Sequence, residues 1–361
     1  MRACFIAAIF VSAALLFTVQ PFTGKLLLPL AGGSPQVWNT CMVFFQGALL
    51  AGYLYAHGLT KLPIKLQGPV HLGVLALAAL MLPVDVAGVA KSQAPDAGAP
   101  MAWLLGLLIQ TVGLPFFAVS TTSPLLQSWF ARTRDPRAKD PYFLYVASNA
   151  GSVVGLLAYP AVIEPLMTRQ EQATSWTGGY GVFFVLIAAC MAHVLRMGVK
   201  AGAPDVGASD AGAPAHAAEA SHAQSVSTRP VTWSRRAFWL GLALIPSSLM
   251  LGVTQYISTD LAAVPLLWVA PLLLYLVSFM VAFSSVVKVS ATLLGRLTPI
   301  VIALMAVVLL TQARDPVVLI VLVHVLGFFV LAWMCHKRLA EDRPDPKHLT
   351  EFYLLMSLGG V

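Results

Sequence analysis

A chain of 361 residues in which 58% are hydrophobic and 10% are charged cannot cover a water-exposed surface, because soluble proteins carry about a quarter charged residues. The mean hydropathy of +0.80 excludes a set of ordinary soluble domains. The net charge of +7 is therefore interpreted by position and not as a nucleic-acid-binding surface. We expect the lipid bilayer to be the partner of this chain, and no nucleic acid.

Apolar segments long enough to span a membrane follow one another along the chain. A first set of six is predicted at Ala3–Val19, Val37–His57, Val70–Val84, Met101–Val119, Phe143–Ile163 and Gly181–Leu195. A second set is predicted at Phe238–Val253, Leu266–Phe283, Leu293–Leu310 and Val317–Met334, with an eleventh that begins near Glu351. A signal peptide cleaved near Ala13 is the alternative for the first segment, but the apolar run continues past that point.

Positive charges give this series of helices an orientation. With the N-terminus in the cytoplasm, eighteen of the 22 lysines and arginines fall in cytoplasmic segments. The four on the other side are Lys25, Lys91, Arg169 and Arg314. Cytoplasmic loops of membrane proteins are enriched in Lys and Arg, so the alternation supports the number of helices. We expect a multi-pass protein of the bacterial inner membrane.

An Ala-, Gly- and Pro-rich stretch divides the chain. Residues 197–235 have almost no large apolar side chain and are predicted to form a disordered cytoplasmic linker. It separates a first transmembrane half, residues 1–196, from a second, residues 236–361. The second half stops inside its fifth helix, so we expect a longer protein with twelve helices.

The two halves share short motifs in the same order. Pro35-x-x-Trp38 matches Pro265-x-x-Trp268, and Asp135-Pro136 matches Asp345-Pro346. After each Asp-Pro comes a helix that aligns Phe143, Ser148 and Gly151 with Phe352, Ser357 and Gly360. The predicted fold class is therefore all-α, a polytopic membrane bundle with two pseudo-repeats of six helices, an arrangement found in transporters.

The stretch from Gln20 to Gln46 is the candidate site, because it places polar residues, prolines and glycines between two apolar runs. Its candidate substrate-binding residues are Gln20, Lys25, Asn39 and Gln46. Lys25 would reach an anionic group or carboxylate; the alternative is that it extends to lipid headgroups. Asn39 and Gln46 share a helix face, where polar residues also join helices.

The second half supplies a counterpart, Gln255 and Asp260, ahead of Trp268. A carboxylate at Asp260 facing Lys25 would make an ion pair or a proton site; the alternative is a solvated loop acid. Glu164 is interpreted as an interface residue. The four scattered cysteines lack ligand spacing, so neither a disulfide framework, a metal site nor a cofactor is predicted.

Several long motifs resemble the membrane part of bacterial spermidine-synthase-like membrane proteins. They are Gln20-Pro-x-x-Gly-Lys25-x-x-Leu-Pro29, Leu114-Pro-Phe-Phe-x-x-Ser120-Thr-Thr-x-Pro124, Asp140-Pro-Tyr-Phe-Leu-Tyr145, Pro246-Ser-Ser-Leu-Met-Leu-Gly252 and Leu349-Thr-Glu-Phe-Tyr353. The resemblance implies a transporter-like helical domain that is usually fused to a cytosolic spermidine synthase-like domain. That domain is missing from this chain, so no catalytic residue is carried over, and the Asp-Arg-Gly-Arg pattern of ordinary major facilitators is also lacking.

Three functions fit these observations. The first is a transporter-like module that binds or moves a small charged solute, such as a polyamine. The second is the membrane half of a bifunctional aminopropyltransferase-like enzyme, whose catalytic domain would be a missing or separate partner. The third is a passive membrane anchor. The sequence contains no catalytic constellation of its own.

Overall fold

A computed structural model describes residues 1–32, 34–92, 99–196, 230–257, 269–284, 287 and 289–361. Within these ranges the chain is helical. Eight helices are long and apolar enough to cross a membrane, and Ile64–Ala79 and Val269–Phe283 are shorter apolar helices. The prediction of a polytopic membrane helical bundle is confirmed.

The principal helices are numbered here in chain order. In the first half they are α1 Arg2–Ala31, α2 Pro35–Leu59, α3 Ile64–Ala79, α4 Pro100–Ala131, α5 Phe143–Leu166 and α6 Arg169–Arg196. In the second half they are α7 Trp233–Tyr256, α8 Val269–Phe283, α9 Ala291–Leu310, α10 Val317–Glu341 and α11 Leu349–Gly360.

Helix α1 runs further than the sequence predicted. The polar stretch after Val19 continues as helix through Pro21 and Pro29 to Ala31, where the prediction had a Gly- and Pro-broken segment. If the chain left the helical conformation inside a bilayer, its backbone N–H and C=O groups would have no hydrogen-bond partners. This costs more free energy than a proline within the helix. The helix ends at Gly32, whose positive φ of 76° suits glycine. Ser34 then caps α2 by accepting from the Val37 N–H.

Other boundaries also differ from the predictions: α4 extends to Ala131, α6 begins at Arg169 and α10 extends to Glu341. Helix α3 begins at Ile64 and ends at Ala79, not at Val84. Helix α7 begins at Trp233, because Thr232 caps it by accepting from the Arg235 N–H. Arg235 therefore lies in the first turn of a helix, not in the linker. Most of the predicted linker, 197–229, lies outside the described residues.

Among the described helices, α4 contacts α11 across the boundary of the two halves, and two other pairs make more extensive contacts there. Helix α2 packs against α11, and α5 packs against α8. One apolar core fills the first half, while the core of the second half also includes Tyr142 from the first. The boundary between the halves is therefore continuous apolar packing where α5 begins.

Within each half, a glycine brings two helices into close contact. Gly151 of α5 lies against the Phe10 carbonyl and the Ala13 side chain of α1, and Gly359 of α11 lies against the Leu240 carbonyl and the Ala243 side chain of α7. Gly155 of α5 makes the same kind of contact with the Ala14 carbonyl and the Phe17 side chain, so the contact of Gly359 resembles those of both glycines. Gly360 has only an ordinary contact with Ser247. The repeat is visible as the same packing in both halves.

Candidate functional site

A cavity of about 460 Å³ opens between the ends of α1, α2, α5 and α8 that lie away from the basic loops. We call this side of the molecule the outer end, and the opposite side the basic end. Most of the cavity wall is apolar, with Val269 as its contribution from the second half. Trp38 also lies on the wall and is 39% exposed. The cavity is therefore placed at the boundary of the two halves.

An ion pair stands on the wall of this cavity. The Lys25 Nζ lies 2.6 Å from the Glu164 Oε1, and both residues line the cavity. Glu164 reaches this position because a π-helical segment, Tyr159–Ile163, precedes it in α5 and contains Pro160, which lacks a backbone donor. Lys25 is thus paired with Glu164, a residue of its own half. The sequence analysis had interpreted Glu164 as a residue of the membrane–water interface.

The height of the pair can be read along α1. Lys25 is 23 residues beyond Arg2, which corresponds to about 34 Å of helix, slightly more than the roughly 30 Å hydrocarbon core. The two side chains are 36% and 41% exposed. Lys25 therefore lies at the outer mouth of the bundle, where water reaches both charges, and not at the midplane of the bundle.

The other predicted site residues do not gather at the cavity. Gln20 donates from Nε2 to the Leu16 carbonyl of its own helix, at 3.2 Å. Asn39 is exposed and Gln46 is half-buried, but the lining residues of α2 are Val37, Trp38 and Cys41. Gln255 is exposed and has an interaction partner, and Asp260 lies outside the described residues.

At the basic end the halves are joined by polar contacts. Among the described residues, several hydrogen bonds and ion pairs cross the boundary there, and we call the following five the inner closure: Asp140–Arg343, Tyr142–Pro344, His57–Thr350, Thr60–Thr350 and Gln127–Tyr353. The outer cavity lies at the opposite end of the same boundary. Among the described residues, the halves are therefore joined by polar contacts at the basic end and border a cavity at the outer end.

The ion pair of the inner closure is its most buried charged contact. Arg343 donates from Nη2 to the Asp140 Oδ2 at 2.8 Å, and its side chain is 3% exposed. The guanidinium also lies 5.5 Å from the centre of the Tyr142 ring, a cation–π geometry. The Tyr142 hydroxyl donates to the Pro344 carbonyl at 2.9 Å. One arginine and one tyrosine thus fasten two loops together.

Each half also fastens its own first helix to its basic loop. Arg2 donates to Asp135 at 2.7 Å, and Arg235 donates to Asp342 at 2.8 Å. The hydrogen bond and charge of Arg2 hold the pKa of Asp135 below its ordinary value. This contact therefore stabilises the fold above the ordinary carboxyl pKa, and the stabilisation is lost as the pH falls through the lowered value.

We expect Asp140→Ala to destabilise the protein by a few kcal/mol. The substitution removes the carboxylate that faces a buried guanidinium, and breaking a buried pair costs about 3–5 kcal/mol; the one-third exposure of Asp140 places the expected loss at the lower end of that range. Thermal unfolding in detergent measures it. Glu341→Gln, at an exposed acid of the same end, is the control, and equal unfolding temperatures for both variants would contradict the assignment.

Sequence reasoning missed a set of aromatic residues at the boundary. Tyr53 of α2, Tyr145 of α5, Tyr275 of α8 and Tyr353 of α11 form what we call the tyrosine cluster. The Tyr145 and Tyr353 rings are 5.2 Å apart, and those of Tyr53 and Tyr353 are 6.5 Å apart. The signal was present in the repeat, because Tyr145 and Tyr353 each precede their packing glycine by six residues.

These observations define a multi-pass membrane protein, an α-helical bundle of two similarly packed halves. No protein-family model matches the chain, and no curated protein sequence matches it. Among solved structures, it is similar to a Major Facilitator Superfamily (MFS) transporter, FucP, in the outward conformation, with 16% identity and a TM-score of 0.48. The match covers 98% of this chain and 88% of that chain. Similarity at this level carries no argument about function.

Proposed function

We propose that the chain is a transporter-like membrane module that binds and moves a small charged solute between its two halves. The observation that carries the proposal is the asymmetry of the boundary. The inner closure seals the basic end, and the outer end holds a cavity of about 460 Å³ with an ion pair on its wall. Among the described residues, a cavity at one end of the boundary and a set of polar contacts at the other suit alternating access between two repeated halves.

Alternating access requires the boundary contacts to be exchangeable. The inner closure consists of polar contacts; the neutral hydrogen bonds are each worth about 1 kcal/mol net when water replaces the partner, and the Asp140–Arg343 ion pair is worth about 1.5–3 kcal/mol. Rocking one half against the other would break these contacts and narrow the outer cavity, while the glycine-packed pairs α1–α5 and α7–α11 keep each half intact. The solute would enter at the outer end and leave at the basic end.

The polar groups of the cavity favour a charged solute. Lys25 and Glu164 offer one charge of each sign to a molecule in the cavity, and Trp38 and Tyr159 offer ring surface. The resemblance to spermidine-synthase-like membrane proteins makes a polyamine the first solute to test. It also suggests a bacterial inner-membrane location and a spermidine synthase-like partner domain.

Uptake of radiolabelled spermidine into proteoliposomes tests the proposal. We expect Lys25→Ala and Asp260→Ala each to lower the uptake rate about tenfold or more. Because the Lys25–Glu164 pair is exposed, its loss should change the free energy of unfolding by less than about 1 kcal/mol. Lys91→Ala, at an exposed lysine of the outer side, is the control. Unchanged uptake in both site variants would overturn the site assignment.

Two other functions give different results in the same preparation. If the chain is the membrane half of an aminopropyltransferase-like enzyme, spermidine synthase activity should depend on these helices when the cytosolic domain is supplied. If it is a passive anchor, replacing the helices by an unrelated membrane anchor should leave the activity of the attached domain intact.

A further inference from the structure

One buried lysine differs from the other buried cations of the molecule. Among the described residues, three basic side chains are buried, and two of them have carboxylate partners, Arg235 with Asp342 and Arg343 with Asp140. The third, Lys337 of α10, is 7% exposed and has no hydrogen bond or ion pair within the part of the chain that the structure describes. A buried charge without a partner is costly, so Lys337 has room in its energetics for an anion.

The packing of α10 shows which helices surround Lys337. Gly327 faces α9, because a Cβ there would meet the Met305 side chain. His336 faces α8, because its ring stacks on that of Phe279 at 3.4 Å. With 3.6 residues per turn, Lys337 lies about 100° from His336 and about 80° from Gly327, on the side of α10 between them. Its side chain therefore belongs to the junction of α8 with α9.

The start of α9 lies at the same level of the bundle. Lys337 is ten residues beyond Gly327, about 15 Å along the helix, and in the antiparallel α9 this level corresponds to the first turn, Ala291–Leu294. Ser290 caps α9 by accepting from the Leu293 N–H at 3.2 Å. The N–H groups of Ala291 and Thr292 have no partner among the described residues. The positive end of a helix and an unpaired ammonium group thus occur together.

This junction lies at the height of the lipid headgroups. Helix α9 has 20 residues, about 30 Å, which matches the hydrocarbon core, so its first turn lies at the membrane surface. Leu293, Leu297 and Ile300 are exposed along the same helix and offer an apolar surface to acyl chains. An anion that reaches the junction from the bilayer is the phosphate of a phospholipid.

We propose that the junction of α8, α9 and α10 at the basic end binds the phosphate of an anionic phospholipid. Its oxygens would accept from the Lys337 ammonium group and from the free N–H groups of α9, where the helix dipole favours an anion. The last two turns of α10 add exposed Arg338 and exposed Glu341, so the local charge remains positive and favours a headgroup with net negative charge. The site lies within the second half and does not depend on the proposed transport function.

Lipid binding to the full chain, purified in detergent and stripped of lipid, tests the site. Native mass spectrometry counts the molecules of dioleoylphosphatidylglycerol or dioleoylphosphatidylcholine that remain bound during a titration. We expect one saturable site that binds the phosphatidylglycerol about tenfold more tightly or better. Lys337→Met should weaken that binding about tenfold or more, because a charge-assisted hydrogen bond is lost. Lys337→Arg, which keeps the charge, should stay within about threefold of the wild type.

The matched control is Lys65→Met, at an exposed lysine in the first turn of α3 at the same end of the molecule, and it should leave the affinity unchanged. Without lipid, Lys337→Met should unfold at the same temperature as the wild type or a higher one, because an unpaired buried charge is removed. A marked fall would reveal a protein partner of Lys337 and overturn the inference. Equal affinity for the two lipids, unchanged binding in Lys337→Met or an equal loss in Lys65→Met would also overturn it.

A soluble phosphate is distinguished by titration with glycerol phosphate, which has the phosphate group but no acyl chains. We expect it to bind far more weakly than the phosphatidylglycerol, because the contacts with the apolar side chains of α9 are missing. Equal affinity would identify a soluble organic phosphate as the ligand and overturn the assignment to a lipid.

Discussion

Cross-linking α2 to α11 at the basic end is expected to abolish uptake. The His57 Nδ1 lies 3.0 Å from the Thr350 Oγ1, so His57→Cys and Thr350→Cys place two thiols within reach of a short bis-methanethiosulfonate. This reagent joins the two thiols through a disulfide at each end, with release of sulfinate, so that a reductant can open the bridge. If the halves must separate there to release solute, the bridge holds the protein in its outward-open state. Reduction of the bridge should restore uptake. The measurement is the rate of solute entry into proteoliposomes before and after reduction.

The chain offers its own control for this cross-link. Cys4 of α1 and Cys190 of α6 have their sulfur atoms 3.4 Å apart within the first half. Bridging them joins two helices that move together, and uptake should persist. The test variant then carries serine at all four native cysteines, Cys4, Cys41, Cys190 and Cys335, and the control keeps only Cys4 and Cys190. The reagent therefore meets one pair of thiols in each protein. Persistent uptake after complete cross-linking of the new pair would rule out alternating access.

Gly151→Ala is expected to be the most destabilising small substitution in the first half. A Cβ at Gly151 would meet the Phe10 carbonyl and the Ala13 side chain, so α1 and α5 would have to move apart along their whole contact. Overpacking of this kind costs about 1–3 kcal/mol, and more where backbone is displaced. The unfolding temperature and the monodisperse fraction in detergent report the loss.

Gly359→Ala should behave in the same way, because Gly359 has the equivalent contact with α7. Gly241→Ala is the matched control: no atom lies within 4 Å of a Cβ built there, and alanine favours a helix over glycine by roughly 1 kcal/mol. Its unfolding temperature should stay level or rise. A fall in the control as large as that in Gly359→Ala would mean that helix propensity, not close packing, sets the effect.

Sequence patterns predicted a polytopic helical bundle because membrane-spanning helices can be recognised by their length and composition. They failed at helix ends. Gln20–Ala31 contains Pro21 and Gly24, which signal a loop in water, but the bilayer penalises an open backbone more than it penalises proline. Val70–Val84 was misplaced for a related reason: Pro63 stands immediately before Ile64, where it starts α3.

The candidate site was predicted in part. Lys25 does stand at a cavity, but its partner could not be predicted, because the approach of Glu164 depends on a π-helical turn that no periodicity encodes. The tyrosine cluster was missed because a tyrosine in an apolar run looks like ordinary packing. The four tyrosines come together only because four helices from two distant parts of the chain converge, and this convergence is a property of the tertiary structure.

The connection between the Asp-Pro turn and the next helix is longer in the first half than in the second, and this difference affects the contacts at the basic end. From the Asp-Pro turn to the packing glycine, the second half is two residues shorter than the first. In the first half the turn Pro136–Lys139 is followed by Asp140, Pro141 and Tyr142 before α5, whereas in the second half Pro346–His348 leads straight into α11. Asp140 and Tyr142 are the residues that reach across to Arg343 and Pro344. The two halves are packed alike, but within the described residues the contacts of Asp140 and Tyr142 come from the part of the loop in which the halves differ.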